Sequence, residues 1–369
     1  MNKFFHLAKN IAVSNFAELK RPYRITYILT HKCQLRCKMC NIWSKSPGKE
    51  LSLEQIRRFF SQSNGFSWIN LSGGEIFLRE DLMDIIDTIF KHCRRLYLLD
   101  FPTNGFQPDL VERNVQKIIS LYHPPKLLVT VSLDGTPEEH DRIRGMGGAW
   151  EKAVETFRRL RGLRSRGFDV FLGMTLQAAN EDKFQETFAS VDKRIGGLSY
   201  NDFHINIVQQ SAHYYNNDSA GQPDRQRLWD SLNFINRQRK SSMTNPVAFL
   251  EQRYQLLARA YLDTGKIPVG CQALGASFFM APDGTVYPCS IYNKPIGNIA
   301  DSGYDINKLW NTSARAGLRK EIRQGNCPQC WTPCEAYQSI LANILRLAVR
   351  GVRLAVEKNR KPQTANREP

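Results

Sequence analysis

The sequence lacks any run of about 20 uninterrupted apolar residues, which argues against a membrane-spanning helix. Its first stretch, MNKFFHLAKNIAVSNF, also lacks the long apolar segment and small-residue cleavage site of a secretory signal. The nine cysteines are an odd number spread over 369 residues, unlike the dense pattern of a disulfide scaffold. These absences predict a protein of the reducing cytoplasm.

Acidic residues are scarce, with 35 against 51 Lys and Arg, which gives a formal net charge of +16. The excess lies mainly at the two ends, residues 1–38 and 335–369. Such a charge favours an anionic partner, whether nucleic acid, membrane surface or acidic substrate. The alternative is that basic ends only keep the protein soluble.

Six short β-rich runs alternate with stretches whose apolar residues recur at three- and four-residue spacing. Near-continuous apolar strands joined by helices predict a parallel sheet curled into a partial (β/α)6 TIM-like barrel of the α/β class. In such barrels the chemistry lies at the carboxyl ends of the strands. The predicted strands are 24–30, 67–73, 95–105, 126–135, 169–177 and 202–208.

The composition changes along the chain and predicts five regions. Residues 211–265 are polar and helix-prone, whereas 266–334 concentrate Gly, Pro and Cys around one short hairpin, SFFMAPDGTVYPC. We therefore expect a separate small domain there, followed by one helix and a disordered tail. The predicted regions are a basic segment 1–23, the barrel 24–210, a helical bridge 211–265, the cysteine-rich domain 266–334, and a basic amphipathic helix with its tail, 335–369.

Three cysteines, Cys33, Cys37 and Cys40, occupy one short loop directly after the first predicted strand. Three thiolates in one loop can hold three irons of a four-iron cluster and leave the fourth iron without a protein ligand. The alternative is a structural zinc site, which needs four ligands. Only one C-x2-C pair is present here, and the nearest fourth candidate is His31.

This C-x3-C-x2-C loop after the first strand of a β-α partial barrel resembles the radical S-adenosylmethionine (SAM) superfamily. The resemblance implies an oxygen-sensitive four-iron cluster that binds SAM through its open iron. It also implies reductive cleavage of SAM to a 5'-deoxyadenosyl radical, with electrons from a donor such as flavodoxin or ferredoxin.

The resemblance extends to residues that would hold SAM. Ser72-Gly73-Gly74-Glu75, at the end of the second predicted strand, is similar to the family's GGE motif, which holds the methionine amino group. Glycines there allow a bare backbone to approach a ligand closely. Ser132 and Arg144 resemble a pair that contacts the ribose and carboxylate of SAM. Met39 takes a position where the family often has an aromatic residue on the adenine, and its polarizable sulfur can pack there instead.

A second group of cysteines lies in the predicted small domain. Gly284 to Cys289 is similar to the G-x4-C element of SPASM and twitch auxiliary-cluster domains, and a C-x2-C-x3-C segment follows. Four thiols complete one four-iron cluster, so the resemblance implies a single auxiliary cluster with one spare cysteine. Which two of the last three cysteines act as ligands stays open, as does a zinc ribbon. Cys93 is expected to be a buried structural thiol. The candidate ligands are Cys271, Cys289, Cys327, Cys330 and Cys334.

The resemblance implies hydrogen abstraction from an unactivated C–H bond, with a peptide or protein side chain as the first expectation for the substrate. Ser290 stands where related sulfatase-maturating enzymes have a basic Asp, which argues against that activity and leaves the catalytic base unidentified. A lipid or other small metabolite is the alternative substrate. A non-catalytic metal protein that contacts RNA is a more distant alternative, which Glu75 and the complete cysteine loop argue against.

Both ends of the chain carry apolar and basic residues at helical spacing. The helix predicted from Glu335 includes Ile340, Leu347 and Arg350, and the N-terminal stretch combines phenylalanines with lysines. The first expectation is that both apolar faces pack on the protein's own core, as helices usually do. Basic amphipathic helices of this kind also bind anionic bilayers, so peripheral contact with the inner face of the membrane is the alternative.

Overall fold

Six parallel strands alternate with helices and form the larger part of the molecule, and three further strands extend their sheet. The computed structural model describes residues 2–45, 48–217, 221–239 and 245–347. The strands are β1 (Arg24–Thr30), β2 (Trp68–Gly73), β3 (Leu98–Thr103), β4 (Lys126–Ser132), β5 (Phe168–Leu176), β6 (Phe203–Ile207), β7 (Ser277–Met280), β8 (Thr285–Tyr287) and β9 (Gly297–Asn298). The α-helices are α1 (Lys3–Ser14), α2 (Leu53–Gln62), α3 (Leu82–His92), α4 (Pro108–Tyr122), α5 (Pro137–Arg144), α6 (Ala149–Arg161), α7 (Phe184–Ile195), α8 (Arg225–Gln238), α9 (Pro246–Thr264), α10 (Ile306–Trp310), α11 (Ser313–Arg323) and α12 (Pro333–Leu341).

The first six strands lie in the order β6-β5-β4-β3-β2-β1, and each pairs in parallel with its neighbours. This confirms the predicted partial (β/α)6 barrel. The predicted strand ends differ from the observed ones by a few residues, most at β3. The positions of apolar residues in a sequence do not show where the hydrogen bonds between two strands end.

Side chains alternate between the two faces of the barrel strands. In β4, Leu127, Val129 and Val131 are fully buried against the helices, whereas Thr130 and Ser132 are only partly buried and line the barrel interior. The apolar face holds the helices in place by removing hydrocarbon from water. The opposite face is left free to carry polar groups.

The cysteine-rich region is joined to the barrel through the sheet. β7 pairs in parallel with β1, with Arg24 opposite Ser277, and then turns back as an antiparallel hairpin to β8. The hairpin was predicted, but its continuity with the barrel sheet was not. β1 would otherwise be an edge strand with unpaired backbone groups, and β7 satisfies them. The five region boundaries stay predictions.

The bridge contains α8 and α9, and α9 is fixed to the segment that leads into α12. Tyr254 of α9 stacks on Trp331 with ring centroids 5.5 Å apart. The Tyr254 hydroxyl donates to the Trp331 carbonyl at 3.1 Å, and the Trp331 indole donates to the Tyr254 carbonyl at 3.0 Å. This reciprocal pair positions the start of α12.

The helix predicted from Glu335 differs from the observed one. α12 begins earlier, at Pro333, and ends at Leu341, because the Asn343 side chain donates to Gly270 O at 3.0 Å and to Ser339 O at 2.8 Å and fixes a turn there. Most of α12 is buried on the core. Residues 344–347 are helical again after this turn, and the remainder of the predicted helix and tail, residues 348–369, lies outside the described residues.

The N-terminal helix α1 packs on the end of the barrel where the strands begin. Its buried Leu7, with Ile11 beside it, joins a small core that includes Trp68 and Leu98. Asn15 donates to Leu341 O at 2.9 Å and links α1 to α12. None of the helices in the described part of the chain has both the length and the apolar character needed to cross a membrane.

Candidate active site

The loop with Cys33, Cys37 and Cys40 follows β1 and is held by backbone hydrogen bonds. Arg36 N donates to Arg144 O at 3.0 Å and Lys38 N to Ile143 O at 2.9 Å, so the end of α5 fixes the middle of the loop. The three thiols face one cavity, as the predicted cluster requires.

Burial makes these thiols weak acids. It raises the pKa of Cys33 to about 11 and that of Cys40 to about 12, and it also raises the pKa of Cys37. Thiolates bind metal, so assembly of a cluster must release protons, and the charge of the iron has to replace the lost solvation. The donor set fits an iron–sulfur cluster, which neutralises thiolates in a site poor in water.

The glycines of the GGE segment bring the end of β2 against the cysteine loop. Gly74 N donates to Thr30 O at 2.9 Å, and Glu75 N donates to Lys32 O at 2.8 Å. A Cβ atom on Gly74 would lie 2.2 Å from Lys32 O and 2.9 Å from Cys33 Cβ. Close approach to a ligand is the predicted reason for these glycines, and the structure shows that the approach of backbone to backbone also requires them.

Glu75 does not line the cavity, although its two glycine neighbours do. Its buried carboxylate accepts hydrogen bonds from Asn104 N at 2.7 Å and from Thr103 Oγ1 at 3.0 and 3.1 Å. Burial raises the pKa of Glu75 to about 7, although these donors favour the charged form. In this structure Glu75 therefore ties the end of β2 to the end of β3. The predicted contact with the SAM amino group remains a prediction.

Arg144 is pre-positioned by a buried carboxylate. Its Nη2 lies 2.6 Å from Asp134 Oδ2, and its Nη1 donates to Cys37 Sγ at 3.7 Å. Burial acts against the charged form, but Asp134 and Cys37 outweigh it and raise the pKa of Arg144. The guanidinium thus stays charged beside the cysteine loop, where it can bind a carboxylate.

One cavity of about 360 Å³ joins the cysteine loop to the barrel interior. The predicted SAM-binding residues Met39, Gly73, Gly74, Ser132 and Arg144 line it together with the three cysteines. Deeper in the barrel the cavity continues between polar side chains. These are Thr26, Asn70, Asp100, Thr130, His204 and Asn206.

Three residues outside the predicted motifs contribute to this site: Asn104, Asp134 and Tyr214. Asn104 binds Glu75 through its backbone and directs its side-chain amide to Cys33 Sγ at 3.9 Å. The Tyr214 hydroxyl lies 3.1 Å from Ser72 Oγ. Asn104 and Asp134 both follow strand ends, a position that could have marked them. Tyr214 lies in the bridge, where no sequence signal points to the barrel.

In the second cysteine group, four cysteines lie together and the fifth lies apart from them. Cys271, Cys289, Cys327 and Cys330 line a single small pocket. Gln329 adopts a left-handed conformation (φ 55°), and this turn brings the last two thiols together. Cys334 instead lines the large barrel cavity.

Within the described residues, no three His, Cys, Asp or Glu side chains lie close enough together to hold a single metal ion. The ligands of a four-iron cluster surround a metal–sulfur core and lie farther apart than the ligands of one ion. The four thiols of the small pocket match in number what one such cluster needs.

Comparison with protein-family models decides the family. The model of the radical SAM superfamily matches residues 27–191, and the SPASM model, an iron–sulfur cluster-binding domain, matches residues 271–335. The chain belongs to the radical SAM superfamily. Membership in an enzyme family sets aside the alternative of a non-catalytic protein that contacts RNA.

The curated relatives of this radical SAM protein include two kinds of enzyme. It is 24% identical over 344 residues to the subtilosin biosynthesis protein AlbA of Bacillus subtilis, covering 86% of this chain and 68% of that one. It is 26% identical over 334 residues to the AdoMet-dependent heme synthase of Methanosarcina barkeri, covering 84% and 88%.

Solved structures support the fold. SuiB of Streptococcus suis bound to S-adenosylmethionine matches with a TM-score of 0.56 at 13% identity, over 86% of this chain and 71% of that one. The enzyme anSMEcpe with bound AdoMet matches with a TM-score of 0.56 at 18% identity, over 92% of this chain and all of that one. At these identities the likeness shows the fold alone.

The radical SAM enzyme described here therefore binds SAM and 4Fe–4S clusters. When bound, the reduced cluster supplies the electron that cleaves SAM and generates a 5'-deoxyadenosyl radical. The chain itself supplies the cysteine loop, the charged Arg144 beside it, and the cavity that both of them line.

Replacing Arg144 tests its predicted role in holding SAM. Arg144→Gln in an Asp134→Asn background, which leaves no unpaired buried charge, should weaken SAM binding about tenfold to hundredfold, since one charge-assisted contact is lost. Iron content should be unchanged. Equilibrium binding of SAM to the reconstituted proteins measures this. Arg142→Gln, on the exposed face of α5, is the control, and equal affinity in all variants would contradict the assignment.

Single cysteine variants test the division of the second group. Fully reconstituted protein should hold about eight irons, and Cys327→Ala or Cys330→Ala should lose about half of them. Cys334→Ala should keep them all, as should the control Cys93→Ala. Iron analysis and electron paramagnetic resonance after anaerobic purification give the answer. Loss of iron in Cys334→Ala, or none in Cys327→Ala, would show that the ligands are divided differently.

Proposed function

We propose that this enzyme abstracts hydrogen from an unactivated C–H bond of a peptide or protein side chain. The observation that carries the proposal is the single cavity that joins the cysteine loop to a polar barrel interior. Three relatives support it by name: the bacteriocin biosynthesis protein AlbA, the sporulation killing factor maturation protein SkfB and the mycofactocin maturase MftC. SuiB, whose fold is similar, has also been solved with its precursor peptide SuiA.

The size of the cavity favours a side chain over a whole metabolite. Sites for drug-sized ligands span roughly 300–1,000 Å³, and this cavity of about 360 Å³ must also hold part of SAM. A single side chain that enters from outside needs less of the remaining space than a complete small molecule. Most of a peptide could then stay on the surface.

The buried polar groups of the barrel support a polar substrate. Thr26 Oγ1, Asn70 Oδ1, His204 Nε2 and Asn206 Oδ1 have no hydrogen-bond partner among the described residues, although all four residues line the cavity. An unsatisfied buried polar group costs about 1–3 kcal/mol, and a bound ligand would offset that cost. These positions fit contacts to a substrate.

A small metabolite is the second candidate, and relatives favour a tetrapyrrole within that class. Besides the heme synthase, they include a pre-heme d1 synthase and an Fe-coproporphyrin III synthase, at 30% and 27% identity over 174 and 218 residues. A tetrapyrrole is much larger than a single side chain, and this cavity of about 360 Å³ has to hold part of SAM as well. The alternative of a lipid substrate depends on the proposed membrane contact of α1, which is described below.

Ser290 occupies the position where the resemblance places a base in sulfatase maturases. Its buried Oγ has no hydrogen-bond partner among the described residues and lines the cavity. A hydroxyl is a much weaker base than a carboxylate, so the proposed chemistry does not use Ser290 for proton removal. The side chain is suited to donate a hydrogen bond to the substrate instead.

The electron donor should be an acidic carrier such as a flavodoxin or ferredoxin. Lys32, Arg36 and Lys38 are exposed on the loop that carries Cys33. This positive charge beside the cluster site fits the docking of an acidic protein, which would bring its redox centre near the cysteine loop.

Peripheral contact with an anionic membrane is proposed for the outer face of α1 and the turn after it. Phe4, Phe5 and Phe16 are exposed to 49%, 61% and 79%. Lys9 and Lys20 are exposed beside them. Exposed aromatic residues with flanking lysines fit the interface of an anionic bilayer.

Glu18, the acidic residue within the first 23 positions of the sequence, is paired with three arginines. Glu18 lies 3.3 Å from Arg319 Nε, 3.3 Å from Arg323 Nη1 and 3.5 Å from Arg315 Nη1. It therefore does not oppose an anionic surface.

Transfer of hydrogen from substrate tests the proposed chemistry. Reconstituted enzyme with SAM and a reductant should release 5'-deoxyadenosine, and a true substrate should speed that release. With a peptide deuterated in its side chains, the 5'-deoxyadenosine should carry one deuterium, because the abstracted atom comes from carbon. Mass spectrometry measures both products, with the Cys33→Ala, Cys37→Ala, Cys40→Ala triple variant as the control.

The choice of substrate separates the two candidates. Small peptides encoded beside this gene should give the deuterium transfer, and iron coproporphyrin should not. Transfer from coproporphyrin alone would replace the peptide proposal with the tetrapyrrole one. If the iron-loaded protein does not cleave SAM, both the peptide proposal and the tetrapyrrole proposal are wrong.

Vesicle binding tests the α1 surface. Holoenzyme should sediment with phosphatidylglycerol vesicles at low salt and stay free with phosphatidylcholine vesicles, because screening weakens the attraction of the lysines. Phe5→Glu with Phe16→Glu should reduce binding at least about tenfold, since two apolar anchors become charged. The control is Leu121→Glu on α4, a residue 64% exposed. Equal binding of both variants would rule out α1 as the contact.

A further inference from the structure

Cys334 is the cysteine of the second group that lies apart from the other four. Those four line the small pocket, and their number already completes a four-iron cluster. Cys334 lines the large cavity and follows Pro333 in the first turn of α12. A thiol is therefore available inside the cavity that the rest of the site leaves unassigned.

Arg24 lies next to Cys334, and no carboxylate of the described residues forms an ion pair with it. It is 2% exposed, its Nη1 donates to the Cys334 carbonyl, and its Cζ lies 4.5 Å from the ring centroid of Trp68. Its Nε has no hydrogen-bond partner within the described parts of the chain. Together with Nη2, this Nε forms the edge of a guanidinium that binds carboxylates in bidentate fashion.

Two threonines add donors at the same end of the cavity. Thr26 follows Arg24 by two residues on the same face of β1 and is 3% exposed. Thr332 is the N-cap residue of α12 and is 2% exposed, but its side chain makes no capping hydrogen bond. Both hydroxyls lack partners among the residues the structure describes, and both residues line the cavity. The N-terminal end of α12 adds a partial positive charge.

The two acids near Arg24 are satisfied by other groups. Asp100 accepts hydrogen bonds from the Trp68 indole and the Asn70 amide. Glu335 Oε2 accepts from Gln338 Nε2 at 2.7 Å and from Ser277 Oγ at 3.3 Å. Burial raises the pKa of Glu335 to about 7 and also raises that of Asp100, which reduces the negative charge that a ligand would meet.

We propose that Arg24, Thr26, Thr332 and Cys334 form a subsite, the Arg24 subsite, that binds a carboxylate of the substrate. The inference rests on the proposed function and narrows its substrate class to peptides that present a carboxylate, from an acidic side chain or a free C-terminus, to the end of the cavity opposite SAM. The carboxylate fills the open edge of Arg24 and accepts from the two hydroxyls. SAM keeps the opposite end of the cavity, beside Arg144.

The thiol of Cys334 makes the subsite measurable without turnover. Iodoacetate and iodoacetamide alkylate thiols in the same way, but only iodoacetate carries a carboxylate. Their rates at Cys334 in intact holoenzyme are followed by peptide mass spectrometry, and their ratio is compared with that at 2-mercaptoethanol. Because both reagents need the thiolate, the ratio does not depend on the pKa of Cys334. We expect the ratio of the iodoacetate rate to the iodoacetamide rate to be about tenfold higher at Cys334 than at 2-mercaptoethanol. Glutarate, which carries carboxylates, should suppress this preference for iodoacetate, whereas glutaramide should not.

Substitutions test whether the Arg24 subsite causes the preference of Cys334 for iodoacetate. Arg24→Gln should remove the iodoacetate preference, and Thr332→Val should lower it about fivefold without loss of helix capping. Thr130→Val removes a hydroxyl from the cavity wall at β4, three strands from β1, and should leave the ratio unchanged. Unchanged iron content shows that each variant is folded.

Three results would overturn the inference: an unchanged ratio in the native enzyme, an equal fall in Thr130→Val, or alkylation of Cys327 or Cys330 in place of Cys334. The last would mean that Cys334 is a cluster ligand. SAM cleavage and peptide turnover are measured on the same preparation. If the enzyme shows the raised iodoacetate-to-iodoacetamide ratio but does not turn over a peptide, the Arg24 subsite is supported and the proposed function is rejected.

Discussion

The close contact between the end of β2 and the cysteine loop is the constraint on which the site depends. Gly73 and Gly74 let the two backbones meet at distances that a Cβ atom would forbid, and the hydrogen bond from Glu75 N to Lys32 O secures the contact. From there the Glu75 carboxylate reaches Asn104 and fixes the end of β3. One backbone contact thus places three strand ends around the thiols.

The two ends of the cavity differ in how their polar groups are satisfied. Beside the cysteine loop, Arg144 is already held by Asp134, so its charge and direction are set before any ligand arrives. Pre-positioning of this kind lowers the entropic cost of binding. At the other end, Arg24 Nε and the Thr332 hydroxyl lack partners among the described residues, which favours binding of a ligand that supplies acceptors.

The two cysteine regions are parts of one framework. β1 leads directly into the first cysteine loop and pairs with β7 of the second region. Arg24, at the start of the same strand, binds the carbonyl of Cys334 at the start of α12. Because strand pairing and this contact both hold β1, the distance between the two cysteine groups is fixed by the sheet and does not depend on a flexible linker.

Local sequence determined the barrel strands, the cysteine loop and the SGGE segment, because hydrophobic period, ligand spacing and glycine placement are properties of neighbouring residues. Local sequence also singled out Arg144, which lines the cavity. Only the tertiary structure decided three positions. Cys334 lies apart from the other four cysteines, Glu75 does not line the cavity, and the Tyr214 hydroxyl lies within hydrogen-bond distance of Ser72. These facts depend on which face of a distant element packs inward, and spacing along the chain does not encode that.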